Sequence, residues 1–335
     1  MQKILISGAG IAGLTAAFWL TKFGYQVEII DRVNDLQARD GYAIDFWGPG
    51  MDVAAEMDIV GELEKINLDF QTINFSDQHG KIGSSLHVKQ MLALYPNGFV
   101  TVLRGGLERI LLEKLVDKAQ ISLGKTISAI NNTADKVIVT FHDNSTADYD
   151  YLIGSDGVHS QVRELLWGQE DKFSIDLGYQ VCAFITTANN DLDHTVNMFN
   201  APKCACALMP LGKQRIAAYG IYRNDLEQDV HSDLERIRTC FSGFPENVTT
   251  LINNLQAENL FHDKVEQISV PEWHKGRVIL LGDACQCLTL VAGQGASMAM
   301  ASAYTLAHAI KNNNIEHYSK IMQPIIKTKQ QAARG

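Results

Sequence analysis

Lys3-Ile4-Leu5-Ile6-Ser7-Gly8-Ala9-Gly10-Ile11-Ala12-Gly13 is a short apolar run that passes straight into three glycines at GxGxxG spacing. Alone, such a pattern marks a turn more often than a ligand, so the flanking sequence decides what it means. Residues 3 to 7 read as a buried strand, and Leu14 to Lys22 carry a helical pattern that stops at Gly24, a natural C-cap. Val27-Glu28-Ile29-Ile30 then reads as a second strand ending in Asp31, 18 residues beyond Gly13. Strand, glycine turn, helix and a strand closed by an acid make the βαβ opening of a dinucleotide-binding fold.

Each part of that unit has its own task. Gly8 forms the tight turn, Gly10 lets a pyrophosphate approach the backbone, Gly13 lets helix and strand pack closely, and Asp31 reaches the adenosine ribose. The helix opens at Ile11 and Ala12, where free N–H groups and the positive end of the dipole attract phosphate.

Two further glycine motifs follow in order. Tyr151-Leu152-Ile153 runs into Gly154-Ser155-Asp156-Gly157, and Arg277-Val278-Ile279-Leu280-Leu281 runs into Gly282-Asp283. Gly293-Gln294-Gly295-Ala296 then opens a helix of small residues, Gly295 to Ile310. Asp156 and Asp283 also suit plain helix or turn caps, but three such motifs in this order point to a flavin enzyme.

Between the motifs the pattern changes. Residues 71 to 76 and 80 to 87 read as strands around Gln78-His79-Gly80, and Phe99 to Arg104 leads into a helix from Leu107 to Lys118. Strands follow at 126 to 130 and 137 to 142, and from about 176 to 222 the chain alternates like antiparallel strands. Helices are expected at Ser232 to Phe241 and Val248 to Leu255. A chain of 335 residues exceeds one ordinary core. The expected fold class is therefore α/β, a Rossmann-like FAD-binding domain interleaved with a mixed or antiparallel-sheet substrate domain. The expected division gives 1–70, 100–170 and 276–335 to the first, and 71–99 and 171–275 to the second.

Composition narrows the partners. A net charge of -9 without a concentrated basic patch argues against nucleic acid. No apolar run reaches the roughly 18 residues of a membrane span, and the opening strand lacks the layout of a signal peptide, so the cytoplasm is the expected compartment. The six cysteines include Cys204-x-Cys206 and Cys285-x-Cys287, without a histidine at finger-like spacing, so no metal is expected. No histidine triad or Gly-x-Ser-x-Gly elbow is present. Phe46 and Trp47 are candidates for an aromatic wall, with packing as the alternative.

With its motifs in this order, the sequence resembles the single-component FAD-dependent aromatic hydroxylases, the class typified by p-hydroxybenzoate hydroxylase and including tetracycline-inactivating monooxygenases. The resemblance runs from Gly8 to Gly295. It implies that Gly8, Gly10 and Gly13 bind the ADP half of FAD, that Asp31 and Arg32 hold its ribose and adenine side, and that Arg104 contacts the linker. Asp156 and Gly157, within Gly154-Ser155-Asp156-Gly157-Val158-His159-Ser160 with Arg163, correspond to a segment associated with FAD and NAD(P)H. Gly282 and Asp283 match the motif whose acid meets the ribityl chain, and Gly293, Gln294, Gly295 and Ala296 face the N1–C2=O edge of the flavin. A helix N-terminus there favours reduction, because reduced flavin is anionic at N1.

The family reaction reduces FAD with NADPH or NADH, adds O2 to give a C4a-hydroperoxide, and hydroxylates a phenolic, aromatic or polycyclic small molecule. The motifs single out no catalytic side chain and no oligomeric state. Gln286 and Leu290 stand where the family has histidine and proline, and only 40 residues follow Gly295. The short end implies a more open substrate side or a shortened chain. These departures keep two alternatives in view, an FAD-dependent reductase or dehydrogenase without oxygen insertion, and an inactive flavin-binding protein.

Overall fold

The computed structural model describes residues 1–36, 42–95, 97–187, 194–226, 232–257, 260–289 and 293–334. The opening sequence forms the strand Lys3–Ser7, the helix Ile11–Lys22 and the strand Gln26–Asp31. Both strands lie within a six-stranded sheet ordered His274–Lys275, Val278–Leu280, Tyr151–Gly154, Lys3–Ser7, Gln26–Asp31, Gln120–Leu123. Every pairing is parallel except that of the two-residue His274–Lys275 edge. A parallel sheet is covered on both faces, so Ile4, Leu5 and Ile6 are all fully buried and the strand reads as a continuous apolar run. Ser7 pairs with Gly154, and Gly154 with Leu280, so all three glycine motifs leave the sheet at one edge. That edge, beyond the carboxyl ends of the strands, is where open α/β sheets bind ligands.

A seven-stranded sheet comes from the intervening sequence. Its order is Phe261–Ile268, Ser174–Thr187, Arg215–Arg223, Cys204–Gly212, Thr195–Ala201, Thr72–Asp77, Ile82–His87. It is antiparallel apart from the pairing of Thr195–Ala201 with Thr72–Asp77. One face carries Cys182, Phe184, Cys206, Leu208, Ile216, Ala218 and Tyr222, packed with Ile237, Phe241, Val248 and Ile252 from the helices Asp233–Cys240 and Glu246–Asn253. Alternation then sends Ala183, Ala207 and Tyr219 to the opposite face. The α/β class with an interleaved mixed sheet is what the sequence led us to expect.

Two smaller sheets lie beside these. Ala43–Trp47 pairs with Phe99–Leu103, and Ile127–Asn132, Val137–Phe141 and Thr146–Tyr149 form a three-stranded sheet. The helix after Phe99–Leu103 spans Arg104–Glu113 and so begins before the expected Leu107. Gly105 and Gly106 are poor helix formers, but both are buried, and a Cβ on Gly106 would come within 2.9 Å of Ile66 Cδ1. Close packing there overrides propensity. The helix Gly295–Lys311 packs across Ile11–Lys22, with Tyr304 edge-on to Trp19 at 4.9 Å. A final helix absent from the sequence reading, Ile315–Ala332, buries Tyr318, Met322 and Ile326 along one side despite an internal Pro324. Among the described residues no helix is long and apolar enough to cross a membrane.

Candidate active site

The three glycine motifs touch one another. Gly8 has φ 109°, and a Cβ there would lie 2.4 Å from the Ser155 carbonyl oxygen. A Cβ on Gly13 would lie 2.0 Å from Gly8 O and 2.6 Å from Ser155 Oγ. No other residue fits either place. The Ser155 hydroxyl lies within 3.0 Å of the Ser7 and Gly8 carbonyls, to which it donates, knitting the second motif to the first. On the other side, a Cβ on Gly282 would come within 2.8 Å of Ala12 Cβ, so the third motif lies against the start of the first helix.

That helix has Gly10 as its N-cap, without a side-chain cap bond and without an acid in its first turn. Its free N–H groups, including those at Ile11 and Ala12, have Arg104 beside them: a Cβ on Gly10 would be 3.6 Å from Arg104 Nη2 and 3.7 Å from Glu108 Oε1. Unanswered N–H donors and a guanidinium around a bare backbone fit a pyrophosphate. Arg104 Nε donates to Glu108 Oε1 at 3.1 Å, and its guanidinium sits 6.0 Å from the Tyr42 ring centre. Burial works against its charge, but Tyr42, Glu108 and Asp283 outweigh burial and hold it protonated.

Asp283 reaches solvent at the floor of this cleft. Burial pushes its carboxyl above the ordinary range, and Arg104 pulls it back. Asp45, exposed on the strand Ala43–Trp47, is pushed up by burial and opposed by the Thr101 hydroxyl, which donates to it at 2.7 Å. Burial likewise raises Tyr42, against Arg104. Side chains crowded by protein yet open to solvent mark a concave site. Ser297, in the first turn of Gly295–Lys311, accepts from Gly50 N at 2.8 Å and donates to Trp47 O at 2.6 Å. The cleft therefore has the strand Ala43–Trp47 along one edge and this helix start along another. Gly293 and Gly295 face open space there, with no atom within 4 Å of a Cβ position. Ala296 follows them, half-buried.

Several sequence candidates turn out to hold backbone. Asp31 is buried, and its carboxylate accepts from Ala9 N at 2.8 Å and Val33 N at 3.1 Å, fixing the glycine turn. Arg32 is exposed. Asp156 accepts from Ser160 Oγ at 2.5 Å and from Val162 N at 3.1 Å, capping the helix Gln161–Trp167, with Gly157 next to it in open space. Arg163 is 1% exposed and donates to Ala284 O at 3.0 Å, Val158 O at 2.7 Å and Glu170 Oε2 at 2.7 Å, tying the second motif to the third. Gln286 is buried and paired with Ser302, so the amide fills a place in the core. Phe46 is fully buried packing, whereas the Trp47 ring lies tilted against Tyr95, centroids 4.8 Å apart. Leu290 lies outside the described residues.

The opposite wall comes from the seven-stranded sheet, expected as the substrate domain, although the residues that line it were not read from the sequence. Ala183 pairs with both Phe261 and Tyr219, and Tyr219 with Ala207, so the four side chains share a face. Phe261 meets the Tyr42 ring at 5.6 Å, which turns that face toward Arg104. Burial raises the Tyr219 hydroxyl, with Tyr42 adding to the effect. His159, Glu170 and Glu266 come close enough to suggest a metal, but Glu170 is paired with Arg163 and Glu266 with Ser174.

A family profile described as FAD binding domain matches residues 1–314. A flavin-dependent monooxygenase of Legionella longbeachae is 29% identical over 327 residues, covering 93% of this chain and 81% of that one. Another, from an unknown prokaryotic organism, is 26% identical over 98% of this chain and 87% of its own length. The crystal structure of tetracycline destructase Tet(51) superposes with a TM-score of 0.85 at 26% identity, covering 99% of this chain and 89% of that one. Klebsiella pneumoniae HpxO, solved with FAD and uric acid, shares the fold with a TM-score of 0.80 at 23% identity, covering 98% and 87%. The glycine cradle, the guanidinium beside it and a profile match over most of the length agree: the chain belongs to the FAD binding domain family and is an FAD-dependent monooxygenase.

Proposed function

We propose that this enzyme uses NADPH or NADH and O2 to hydroxylate a phenolic, aromatic or polycyclic small molecule lying between the FAD site and the seven-stranded sheet. One observation carries the reading: the phosphate cradle at Gly10 and Arg104 opens through Tyr42 onto a sheet face that presents Tyr219 and Phe261 between small residues. Flat aromatic walls flanked by alanines suit a planar ring. Tet(51) is named a tetracycline destructase and HpxO was solved with uric acid, and both compounds are ring systems.

In this reading the backbone at Gly8, Gly10 and Gly13 and the N–H groups of Ile11 and Ala12 hold the pyrophosphate, and Arg104 neutralises it. Asp283 accepts from a ribityl hydroxyl, and Gly293 to Ala296 present N–H groups to the pyrimidine edge. Asp31, Arg32, Asp156 and Gly157 shape the adenosine side and the adjoining loop. FAD supplies the electron transfer and oxygen activation when bound. The chain excludes water and orients the substrate. The segments 1–70, 100–170 and 276–335 serve the cofactor, and 71–99 and 171–275 the substrate.

The test is the flavin absorbance of the purified protein after anaerobic NADPH or NADH, then after O2 with a panel of phenols and fused-ring compounds. Bleaching and return of the bands, faster with one compound that acquires 18O from labelled O2, is the expected result. Bands that bleach and return without 18O in any product would replace hydroxylation by a reductase activity.

A further inference from the structure

We propose that Lys329 and Gln330, adjacent near the end of the helix Ile315–Ala332, are positioning residues for the pyrimidine edge of FAD, and that Lys329 adds positive charge where reduction places negative charge. This rests on the assignment of Gly293 to Ala296 to that edge.

The electrostatics at the start of Gly295–Lys311 are one-sided. The helix has no acid in its first turn, and its N-cap, Gln294, makes no side-chain cap bond. Orphan N–H groups at such an end are ordinarily met by a cap or a carboxylate. Here Lys329 Nζ donates to Gln294 Oε1 instead. An ammonium at the positive end of a helix dipole repels it, and the arrangement becomes favourable when an anion arrives. Oxidised flavin is neutral at N1 and two-electron-reduced flavin is anionic there, so the pair discriminates between the two.

Gln330 fixes the other limb of the same segment. It is 4% exposed, and its Nε2 donates to Ile268 O and Cys287 O, both at 2.8 Å. Gln267, fully buried, donates to Leu288 O at 2.9 Å and to Gln330 O at 3.0 Å, while Arg334 Nε donates to Gln267 Oε1 at 2.6 Å. Two consecutive helix residues therefore grip Cys287, just after the short helix Asp283–Gln286, and Gln294, just before the next helix. Gln267 and Ile268 belong to Phe261–Ile268, the edge strand of the seven-stranded sheet, so the grip also sets the cofactor edge against the sheet that carries Phe261.

The test uses the full chain as Lys329→Met, Lys329→Arg, Gln330→Leu and Gly295→Val, with FAD affinity from flavin fluorescence and the two-electron midpoint potential from dye-equilibrated reduction. Lys329→Met is expected to weaken binding of reduced FAD roughly tenfold more than binding of oxidised FAD, seen as a lower potential. Lys329→Arg restores the potential, which a role in folding alone would not require. Gln330→Leu weakens both redox forms; should it fail to fold, the two Lys329 variants decide. Wild-type potential and affinity in Lys329→Met overturn the proposal. If Gly295→Val still weakens FAD in that case, only the grip by Lys329 is wrong; if it too changes nothing, the assignment of Gly293 to Ala296 falls with it.

Discussion

The two walls of the cleft are built by opposite means. Beneath Arg104 the surface is backbone, created by glycines so tightly enclosed that a single added carbon at Gly13 would meet the Gly8 carbonyl at 2.0 Å. Across from it, on the seven-stranded sheet, the surface is side chain, and Tyr219 stands between Ala183 and Ala207 on a face chosen by register alone. The first wall allows almost no alternative at Gly8 and Gly13. The second is set by side chains that can be exchanged without moving the backbone, the kind of surface by which one fold serves different substrates.

The contrast is sharpest in its largest expected effect. Gly13→Val should cost about 3 kcal/mol or more, because a branched side chain must displace backbone at the glycine turn. FAD content and melting temperature check it together: protein that purifies with a full complement of flavin would break the distinction at its strongest point. A second effect lies at the joint between motifs. Arg163→Leu removes a buried guanidinium from the Val158 and Ala284 carbonyls and from Glu170, whose side chain is 34% exposed. The partial exposure of Glu170 brings the expected loss to about 2–3 kcal/mol, below that for a fully buried pair. Chemical denaturation measures it, and FAD affinity should fall as well, because the second and third motifs separate.

How far each wall was legible follows from the same difference. Gly8, Gly10, Gly13 and Gly282 could be picked out of the sequence because the local pattern of strand, turn and helix sets them at strand ends, whereas Arg104 was reached only through the family resemblance. Asp31 and Asp156 carried the right signature, yet in the structure their carboxylates hold the backbone N–H groups of Ala9 and Val33 and of Val162. Spacing places an acid near a ligand without saying which donors it will meet first. Tyr219 and Phe261 were invisible because pairing strands as far apart as Ala183 and Phe261 depends on contacts no local pattern encodes, and a slip of one residue would send each side chain to the other face. Lys329 and Gln330 belong to a helix whose internal Pro324 hides it from a reading of local signals.

The sheet wall gives the intermediate effect. Tyr219→Ala should raise KM for the preferred substrate roughly tenfold and leave FAD affinity unchanged, since in the proposed reading the ring faces the substrate and not the cofactor. Tyr219→Phe should change little, because burial keeps the hydroxyl protonated and the ring is retained. Steady-state kinetics beside a fluorescence titration of FAD separate the two quantities. Loss of FAD in Tyr219→Ala would mean that the walls are one structure.

The smallest effect falls where the walls meet. His159, on the loop of the second motif, has Glu170 at 3.0 Å from Nδ1 and Asp263, on the sheet's edge strand, at 3.3 Å from Nε2. Arg163 also faces Glu170, and His262 acts on Asp263. The Asp263 bond, against burial and aided by Glu170, lifts the imidazole from 6.5 to about 9. A raised histidine stabilises the folded state fully below pH 6.5, and the contribution drains away as pH climbs through about 9. Because the ring is 50% exposed, water screens the pair and the gain is under about 1 kcal/mol. His159→Gln should therefore melt slightly below wild type at pH 6.5, with the two melting temperatures converging above pH 9. A gap that stays constant across this range would assign the loop's attachment to packing, and the walls would then be joined without charge.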